Sequence, residues 1–200
     1  MILLFEMVCF LGAYLLGAIP FGYILTKKYT GQNILELGSG NIGSTNVGRI
    51  AGKKIAAFVQ ILDMLKGLLP VLFVLLLMKN HLLAFHKYVI YLVAFSSIVG
   101  HNFSIFLHFK GGKGVNTTLG ASVLLAPVEV FSSVLVHFLV KWQFKFVSAG
   151  SIAMGITMPI LSWWIHGINE LFFYLLFCSL MIILRHLPNI KRLKSGQEKL

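Results

Sequence analysis

The chain alternates between long apolar runs and short polar segments, a pattern that predicts a bundle of membrane-spanning helices. A helix needs about 20 apolar residues to cross a bilayer. Runs of about this length occupy residues 2–26, 53–78, 88–108, 114–142, 146–166 and 168–184. Five of these runs are interpreted as single helices, whereas 114–142 is interrupted near its middle by Pro127. We therefore predict an all-α integral membrane protein.

The distribution of Lys and Arg decides whether the run 114–142 crosses the membrane once or twice. A single crossing would place Lys141, Lys145 and the C-terminal tail on the outer side. If the run is instead two short helices, about 114–126 and 128–142, fourteen of the 17 Lys and Arg residues lie inside. Basic residues are enriched in cytoplasmic loops. We therefore predict seven transmembrane helices, two of them short, with the N-terminus outside and the C-terminus in the cytoplasm.

Composition supports a membrane protein and excludes several other classes. The chain is 58% hydrophobic, only 12% charged, and carries a net charge of +11. No basic helix face or aromatic–basic motif accompanies this charge, so we predict no nucleic-acid partner and attribute it to cytoplasmic loops beside anionic lipid. Cys9 and Cys178 lie in apolar runs without metal-ligand spacing. We expect no metal, no cofactor, and one membrane-embedded domain over residues 1–200.

Three polar segments separate the apolar runs and contain the candidate chemistry. The first polar segment is 38–49, the second joins 100–102 to 110–114, and the third is 185–189. Each combines Gly or Asn with basic residues, as sites that bind phosphate through backbone N–H groups and fixed positive charge do. All three open on the cytoplasmic face in the seven-helix arrangement and can converge on one site. The pattern indicates an activity on a phosphorylated molecule at a bilayer surface.

The first polar segment contains four glycines and several groups that can donate hydrogen bonds to an anion. Ser39, Asn41, Thr45 and Asn46 supply hydroxyl and amide donors, and Arg49 offers a planar fork to phosphate oxygens. It is not a Walker A loop, because no Lys follows the second glycine at the required place. The alternative interpretation is a flexible loop between helices.

The second polar segment begins inside an apolar run. His101 and Asn102 must face the protein interior or a wet cavity there, because lipid offers them no hydrogen-bond partners. The glycine turn 110–114 then leads into a helix N-terminus, where Lys113 adds a positive charge. The alternatives are a basic loop that only sets topology and an interior histidine with a structural role.

Two further pairs of polar residues are candidates. Asp63, the single aspartate, precedes Lys66 by one helical turn. Because an isolated charge in a membrane is costly, we expect the two to form a structural ion pair. His186 and Asn189 share one helical face if the helix continues through them, and histidine is suited to proton transfer near neutral pH. A basic tail at the membrane surface is the alternative for this third segment.

Together these segments resemble the PlsY family, the bacterial membrane acyl-phosphate:glycerol-3-phosphate acyltransferases. The similar stretches are 38–49, 100–120 and 185–198, supported by 63–67 and the surroundings of Val147 and Ser148. The resemblance implies acyl transfer from acyl phosphate to the 1-hydroxyl of glycerol 3-phosphate, giving lysophosphatidic acid and inorganic phosphate. This is the first acylation step of bacterial phospholipid synthesis. Family members are also seven-helix proteins.

The resemblance further implies a location and residue roles. It implies a multi-pass protein of the bacterial inner membrane with its active site facing the cytoplasm, in contact with membrane lipid. It also implies a transient contact with the soluble enzyme that makes acyl phosphate. By motif, Ser39, Arg49 and Lys113 would hold the acceptor's phosphate. We assign Ser39, His186 and Asn189 to catalysis. The residues assigned to substrate binding are Ser39, Asn41, Thr45, Asn46, Arg49, His101, Asn102, Gly111, Gly112, Lys113, Gly114, His186 and Asn189, and those assigned structural roles are Asp63, Lys66 and Glu198.

The chemistry of the substrates agrees with this resemblance. An acyl phosphate is an activated mixed anhydride, so no covalent Ser or Cys intermediate is required. The His-x4-Asp pair typical of acyl-CoA-dependent glycerol-phosphate acyltransferases is missing from the sequence. Either His186 or a phosphate oxygen of the donor would accept the hydroxyl proton. The rival classes are a transporter of phosphorylated metabolites and a membrane scaffold.

Overall fold

The computed structural model describes residues 2–80 and 85–198, and within these residues the protein is helical, with no β-strand. The chain divides into two compact units, Met1–Leu124 and Leu125–Leu200. The helices of the first unit are α1 (Ile2–Ala18), α2 (Phe21–Thr30), α3 (Ser44–Ile50), α4 (Lys53–Lys79), α5 (Val89–Asn102) and α6 (Val115–Ser122). Those of the second are α7 (Pro127–Phe144), α8 (Val147–His166), α9 (Glu170–Arg185) and α10 (Leu187–Lys194).

Pro20 divides the first apolar run into α1 and α2, which differs from the single predicted helix over 2–26. Proline cannot continue the helix, and the last carbonyl groups of an interrupted helix lack their usual helical partners. Two side chains of the first unit supply replacements. Ser104 Oγ donates to the Ala18 carbonyl at 2.6 Å, and Lys66 Nζ donates to the Ile19 carbonyl at 3.0 Å. The break is thus held by α4 and by the turn that follows α5.

Glycines bring the helices of the first unit into backbone contact. On α4, a Cβ at Gly67 would lie 2.2 Å from the Thr117 carbonyl oxygen of α6. On α6, a Cβ at Gly120 would lie 1.9 Å from the Met64 carbonyl oxygen of α4. Small residues allow this close approach in membrane helices, where van der Waals contact rather than hydrophobic burial drives association. The same arrangement joins α1 to α5 at Gly17 and Gly100.

The second unit is built around α8, which packs against α7 on one side and α9 on the other. Gly155 of α8 lies against Ile182 of α9, where a Cβ would approach the side chain at 3.2 Å. Helices α9 and α10 meet at a bend of 54°. The predicted basic tail 185–200 therefore begins at this bend, and its last two residues lie outside the described residues.

The distribution of burial is that of a protein surrounded by lipid. Large apolar side chains face outwards along α1, α4, α7, α8 and α9, whereas Ser, Thr, Asn and several charged residues are buried. Within the described residues, four helical stretches are long and apolar enough to cross a membrane, namely Ile2–Thr30, Lys53–Lys79, Val89–Leu107 and Val147–His166. The bent pair Glu170–Arg185 and Leu187–Lys194 would be a fifth. The protein is an integral membrane protein in which polar side chains are turned inwards, away from lipid.

The run 114–142 is interrupted near Pro127, as the sequence predicts. Helix α6 ends at Ser122, and α7 begins at Pro127, which occupies the first turn of that helix. Proline is tolerated there but disfavours helical backbone in the preceding residue, and Ala126 is not helical. The eight residues of α6 are fewer than the predicted 114–126. They extend only about 12 Å.

The close packing of α4 on α6 predicts a specific instability. We expect Gly67→Ala to lower the free energy of unfolding by about 1–3 kcal/mol, because the new methyl group would overlap the Thr117 backbone. Unfolding by denaturing detergent, followed by circular dichroism, measures this change.

Gly12→Ala is the matched control for this experiment. Gly12 is an exposed glycine of α1, and no heavy atom lies within 4 Å of the point that its Cβ would occupy. Alanine favours helix over glycine by about 0.5–1 kcal/mol, so this variant should be equally or more stable than wild type. Equal stability of Gly67→Ala and wild type would contradict the backbone contact between α4 and α6.

Candidate functional site

The first polar segment is shaped by the buried side chain of Asn46. Its Oδ1 accepts a hydrogen bond from the Ser39 backbone N–H at 3.1 Å. Its Nδ2 donates to the carbonyl groups of Leu37 at 3.1 Å and Asn41 at 3.0 Å. These bonds use both amide hydrogens of Asn46. Asn46, predicted to bind substrate, therefore holds the loop that presents Ser39.

The loop's glycines fit this arrangement. Gly38 has a φ of +61°, a left-handed conformation that favours glycine, and a Cβ there would lie 2.2 Å from Asn46 Oδ1. Asn41 Oδ1 accepts from the Gly43 N–H at 2.9 Å, just before α3 begins. The polar character of this segment therefore serves the construction of the loop as well as any ligand.

The exposed polar groups of the first segment are Ser39, Thr45 and Arg49. Thr45 and Arg49 are four residues apart on α3, so they share one face of that helix. Asn116 Nδ2 of α6 donates to Ser44 Oγ at 3.3 Å. Helix α6 begins directly after residues 110–114 of the second polar segment. This hydrogen bond therefore connects the second polar segment, through α6, with the first polar segment.

The second polar segment folds back on the end of α5. His101 and Asn102 are buried, and the Gly112 N–H donates to the His101 carbonyl at 3.0 Å. Gly111, Gly112 and Gly114 are also buried, whereas Lys113 between them is only half-buried. Gly114 has a φ of +78° immediately before α6. The loop thus holds its backbone against α5 while Lys113 stays partly exposed.

A buried group of charges lies beside this loop. Lys66 Nζ is 2.9 Å from Asp63 Oδ1, so the two charges predicted to pair are in contact. His101 Nδ1 lies 3.7 Å from the same carboxylate oxygen, a distance typical of an electrostatic contact rather than a hydrogen bond. Both members of the ion pair are almost fully buried, so each depends on the other for compensation of its charge.

The third polar segment lies at the bend between α9 and α10 in the second unit. His186 is 2% exposed, and its Nδ1 lies 2.8 Å from the Ile182 carbonyl oxygen. A carbonyl accepts only, so Nδ1 carries the proton and, in the neutral ring, Nε2 carries the lone pair. The condition that one helix continues through both residues is not met, because α9 ends at Arg185 and Asn189 belongs to α10.

Glu198 ties the end of the described chain to the start of α8. Its Oε1 accepts from Ser148 Oγ at 2.8 Å and from Asn189 Nδ2 at 2.5 Å, and its Oε2 accepts from Arg192 Nε at 2.7 Å. Burial of this carboxyl raises its pKa, but the three hydrogen bonds and the charge of Arg192 outweigh burial. The pKa of Glu198 therefore lies below its ordinary value of about 4.5.

Sequence reasoning did not assign roles to three residues that the structure places at these segments. Ser148 and Arg192 hold Glu198, and Asn116 contacts the first polar segment. Arg192 and Glu198 are six residues apart, but Ser148 is 50 residues from Glu198 and Asn116 is 72 from Ser44. Spacing along the sequence carries no signal for contacts of that range.

Comparison with known sequences identifies close relatives over almost the whole chain. The family model described as glycerol-3-phosphate acyltransferase matches residues 7–196. The chain is 43% identical to a glycerol-3-phosphate acyltransferase of Clostridium acetobutylicum, over 94% of this chain and 95% of the relative. It is 42% identical to the protein of the same name from Syntrophotalea carbinolica, over 94% and 93%.

Solved structures agree with these sequence matches. The fold is similar to a crystal structure described as PlsY, an integral membrane glycerol 3-phosphate acyltransferase, in its glycerol 3-phosphate form. The TM-score is 0.88, with 34% identity over 97% of this chain and 94% of the other. The lysophosphatidic acid form of PlsY matches with a TM-score of 0.85 and 33% identity, over 97% and 94%.

The contacts of Glu198 predict a pH-dependent attachment of residues 187–198. A carboxyl whose pKa is lowered in the folded state stabilises that state above its ordinary pKa, and this stability is lost as the pH falls through the folded-state pKa. We expect Glu198→Gln to remove about 1–3 kcal/mol of local stability at neutral pH. Hydrogen-exchange protection factors of residues 187–197 measure this loss.

Gln197→Ala is the control for Glu198→Gln, because it changes an exposed side chain at the neighbouring position. It should leave the protection factors unchanged. The difference between wild type and Glu198→Gln should be full near pH 7 and should shrink as the pH falls below the ordinary glutamate pKa of about 4.5, because protonation abolishes the wild-type carboxylate. Equal protection of both proteins near pH 7 would show that Glu198 does not hold this segment.

Proposed function

The chain belongs to the glycerol-3-phosphate acyltransferase family, and from this membership we propose that it transfers an acyl group from acyl phosphate to the 1-hydroxyl of glycerol 3-phosphate. The products are lysophosphatidic acid and inorganic phosphate, and the reaction is the first acylation of bacterial phospholipid synthesis. The observation that carries the proposal is the similarity to PlsY in two forms, one named for glycerol 3-phosphate and one for lysophosphatidic acid. These are the acceptor and the product of the proposed reaction.

Residues of the first unit bind the acceptor's phosphate in this proposal. Arg49 is exposed on α3 and supplies a planar guanidinium that matches phosphate oxygens. Ser39 is exposed on the loop that Asn46 holds, and it adds a hydroxyl donor. Lys113 supplies a second positive charge from the glycine loop that precedes α6. Together these groups neutralise a dianion with two cations and a hydroxyl.

The reaction requires alignment and charge stabilisation more than nucleophilic catalysis by the protein. Acyl phosphate carries its own leaving group, so attack by the acceptor hydroxyl forms the ester bond and releases inorganic phosphate. Negative charge develops on the carbonyl oxygen during this attack, and fixed donors and cations stabilise it. No covalent acyl-enzyme is part of the proposal.

His186 and Asn189 of the second unit act in the acyl transfer itself. Since Nδ1 of His186 lies against the Ile182 carbonyl, Nε2 is the nitrogen that accepts a proton or a hydrogen bond. Asn189 donates to Glu198, so its amide is oriented before substrate arrives. We assign His186 a positioning contact with the acceptor hydroxyl, with the donor's phosphate receiving the proton. A general-base role for Nε2 is the alternative.

We further propose that residues 1–200 form one acyltransferase domain of seven transmembrane helices in the bacterial inner membrane. The N-terminus lies outside, and the polar segments face the cytoplasm, where glycerol 3-phosphate and the soluble enzyme that makes acyl phosphate are found. The positive-inside distribution of Lys and Arg supports this orientation. Helix α6 is short for a span, so it depends on neighbouring helices for shelter.

The donor is tested with purified protein and labelled glycerol 3-phosphate. We expect acyl phosphate to support formation of lysophosphatidic acid with release of one phosphate per product. Acyl-CoA should be slower by roughly 10²-fold or more, because the chain lacks the His-x4-Asp pair. Comparable rates with both donors would contradict the proposed donor.

The same assay tests the proposed contact of Arg49 with the acceptor's phosphate, and Lys194 provides the matched control. Arg49→Lys should lose most of the activity, as should Arg49→Ala, because an ammonium group cannot reproduce a two-pronged contact with phosphate. Lys194→Ala removes an exposed positive charge near the end of α10 and should retain wild-type activity. Full activity of Arg49→Lys would contradict the guanidinium contact.

Orientation is tested by cysteine labelling from outside with an impermeant maleimide, in a background without Cys9 and Cys178. Asn80→Cys and Gln143→Cys are placed at exposed positions near the ends of α4 and α7. We expect labelling at 80 in right-side-out vesicles and labelling at 143 only after permeabilisation. Outside labelling at 143 would contradict the prediction that α6 and α7 cross the membrane separately.

A further inference from the structure

The glycines of the loop 110–114 are buried because they pack on the end of α5. A Cβ at Gly111 would lie 2.0 Å from the His101 backbone oxygen. A Cβ at Gly112 would lie 2.1 Å from Nε2 of the His101 ring, with other ring atoms at 2.9 and 3.1 Å. A Cβ at Gly114 would lie 2.7 Å from Oδ1 of Asn102. Each glycine therefore fits against a different part of two adjacent residues.

This packing constrains a segment without regular structure. Residues 110–114 form neither helix nor strand, and the Gly112 N–H bonds to the His101 carbonyl. Because Gly112 directly precedes Lys113, its contacts help to position the Lys113 backbone. On one side of Gly112 lies the imidazole ring of His101, which is part of a residue only 4% exposed.

The ring in turn lies against the buried ion pair of α4. Asp63 Oδ1 is 3.7 Å from His101 Nδ1 and 2.9 Å from Lys66 Nζ. Lys66 also donates to the Ile19 carbonyl at the break between α1 and α2. These contacts run from the Pro20 break through α4 to the ring and then to Gly112. All of them lie within the first unit.

We propose that His101 is a positioning residue, whose ring holds Gly112 and thereby fixes the Lys113 loop. The inference deepens the proposed function and rests on it, because the loop matters for activity only if Lys113 binds the acceptor's phosphate. It replaces the expectation that His101 binds substrate directly. The Nε2 side of the His101 ring packs against Gly112, and the Nδ1 side lies near Asp63. The ring therefore acts on the substrate through the loop.

The test is a double-mutant cycle between the ring and the glycine that it touches. Gly112→Ala should raise the KM for glycerol 3-phosphate by roughly 10²-fold, because the methyl group collides with the ring and displaces the loop. His101→Ala should raise it by about tenfold through loss of support. The combined variant should stay near the level of His101→Ala, because removal of the ring makes room for the methyl group.

Gly111→Ala is the matched control at the neighbouring glycine. The obstacle there is the backbone oxygen of His101, which remains in every variant. Adding His101→Ala should therefore leave the loss caused by Gly111→Ala unrelieved. If the increases in KM caused by Gly112→Ala and His101→Ala multiply in the combined variant, the proposal is overturned. It is also overturned if His101→Ala reduces the KM increase of Gly111→Ala as much as that of Gly112→Ala.

A second measurement does not depend on the acyltransfer reaction. Trypsin can cleave after Lys113, and a well-fixed loop resists cleavage. We expect His101→Ala to be cut at this bond at least about tenfold faster than wild type in detergent, whereas Gly12→Ala is cut like wild type. Intact-mass analysis of the fragments identifies the bond.

The two measurements separate failure of the inference from failure of the proposed function. Faster cleavage at Lys113 in a protein that shows no acyltransferase activity would support the loop contact and reject the activity. Unchanged cleavage in a protein that is active would reject the loop contact alone. If His101→Ala does not fold, His101→Gln, which fills more of the ring's volume, takes its place in both measurements.

Discussion

The packing of the first unit depends on the buried ammonium group of Lys66. A charge in that environment is tolerated only when it is fully compensated, and Asp63 and the Ile19 carbonyl supply the compensation. The carbonyl is available because Pro20 interrupts the first apolar run. A helix break, an ion pair and a helix-to-helix contact are therefore parts of one arrangement, and loss of either Asp63 or Lys66 would leave the other charge buried without its counter-charge.

Features that depend on neighbours in sequence could be predicted from the sequence. The apolar runs predicted α4, α7, α8 and α9 within two residues at each end, because the length and composition of a membrane helix are local properties. They did not predict the short polar helices α3 and α10, and α5 ends six residues before the predicted 108. The break before Pro127 follows from the covalent structure of proline. Asp63 and Lys66 are one turn apart on one helix, so their contact is also local. The Pro20 break in the first run was missed, although the same reasoning applies to it.

The candidate site was less predictable, because building a loop and binding a ligand use the same residue types. Asn46 has the composition of a phosphate ligand, yet both of its amide hydrogens are used within the loop. The glycines after Lys110 suggest access for an anion, whereas three of them also accommodate His101 and Asn102. The contact of Glu198 with Ser148 joins residues 50 apart, so only the tertiary structure reveals it.

The hydrogen bonds of Asn46 have a consequence for molecules designed to occupy the Ser39 loop. A loop that is flexible before binding loses conformational entropy when a ligand orders it, and the measured affinity is reduced accordingly. Here the side chain of Asn46 holds the backbone at Leu37, Ser39 and Asn41 through three hydrogen bonds of the protein itself. A small inhibitor that carries a phosphate mimic to the phosphate site proposed above would therefore gain affinity from preorganisation. Compounds that require a rearranged loop would have to break those hydrogen bonds first.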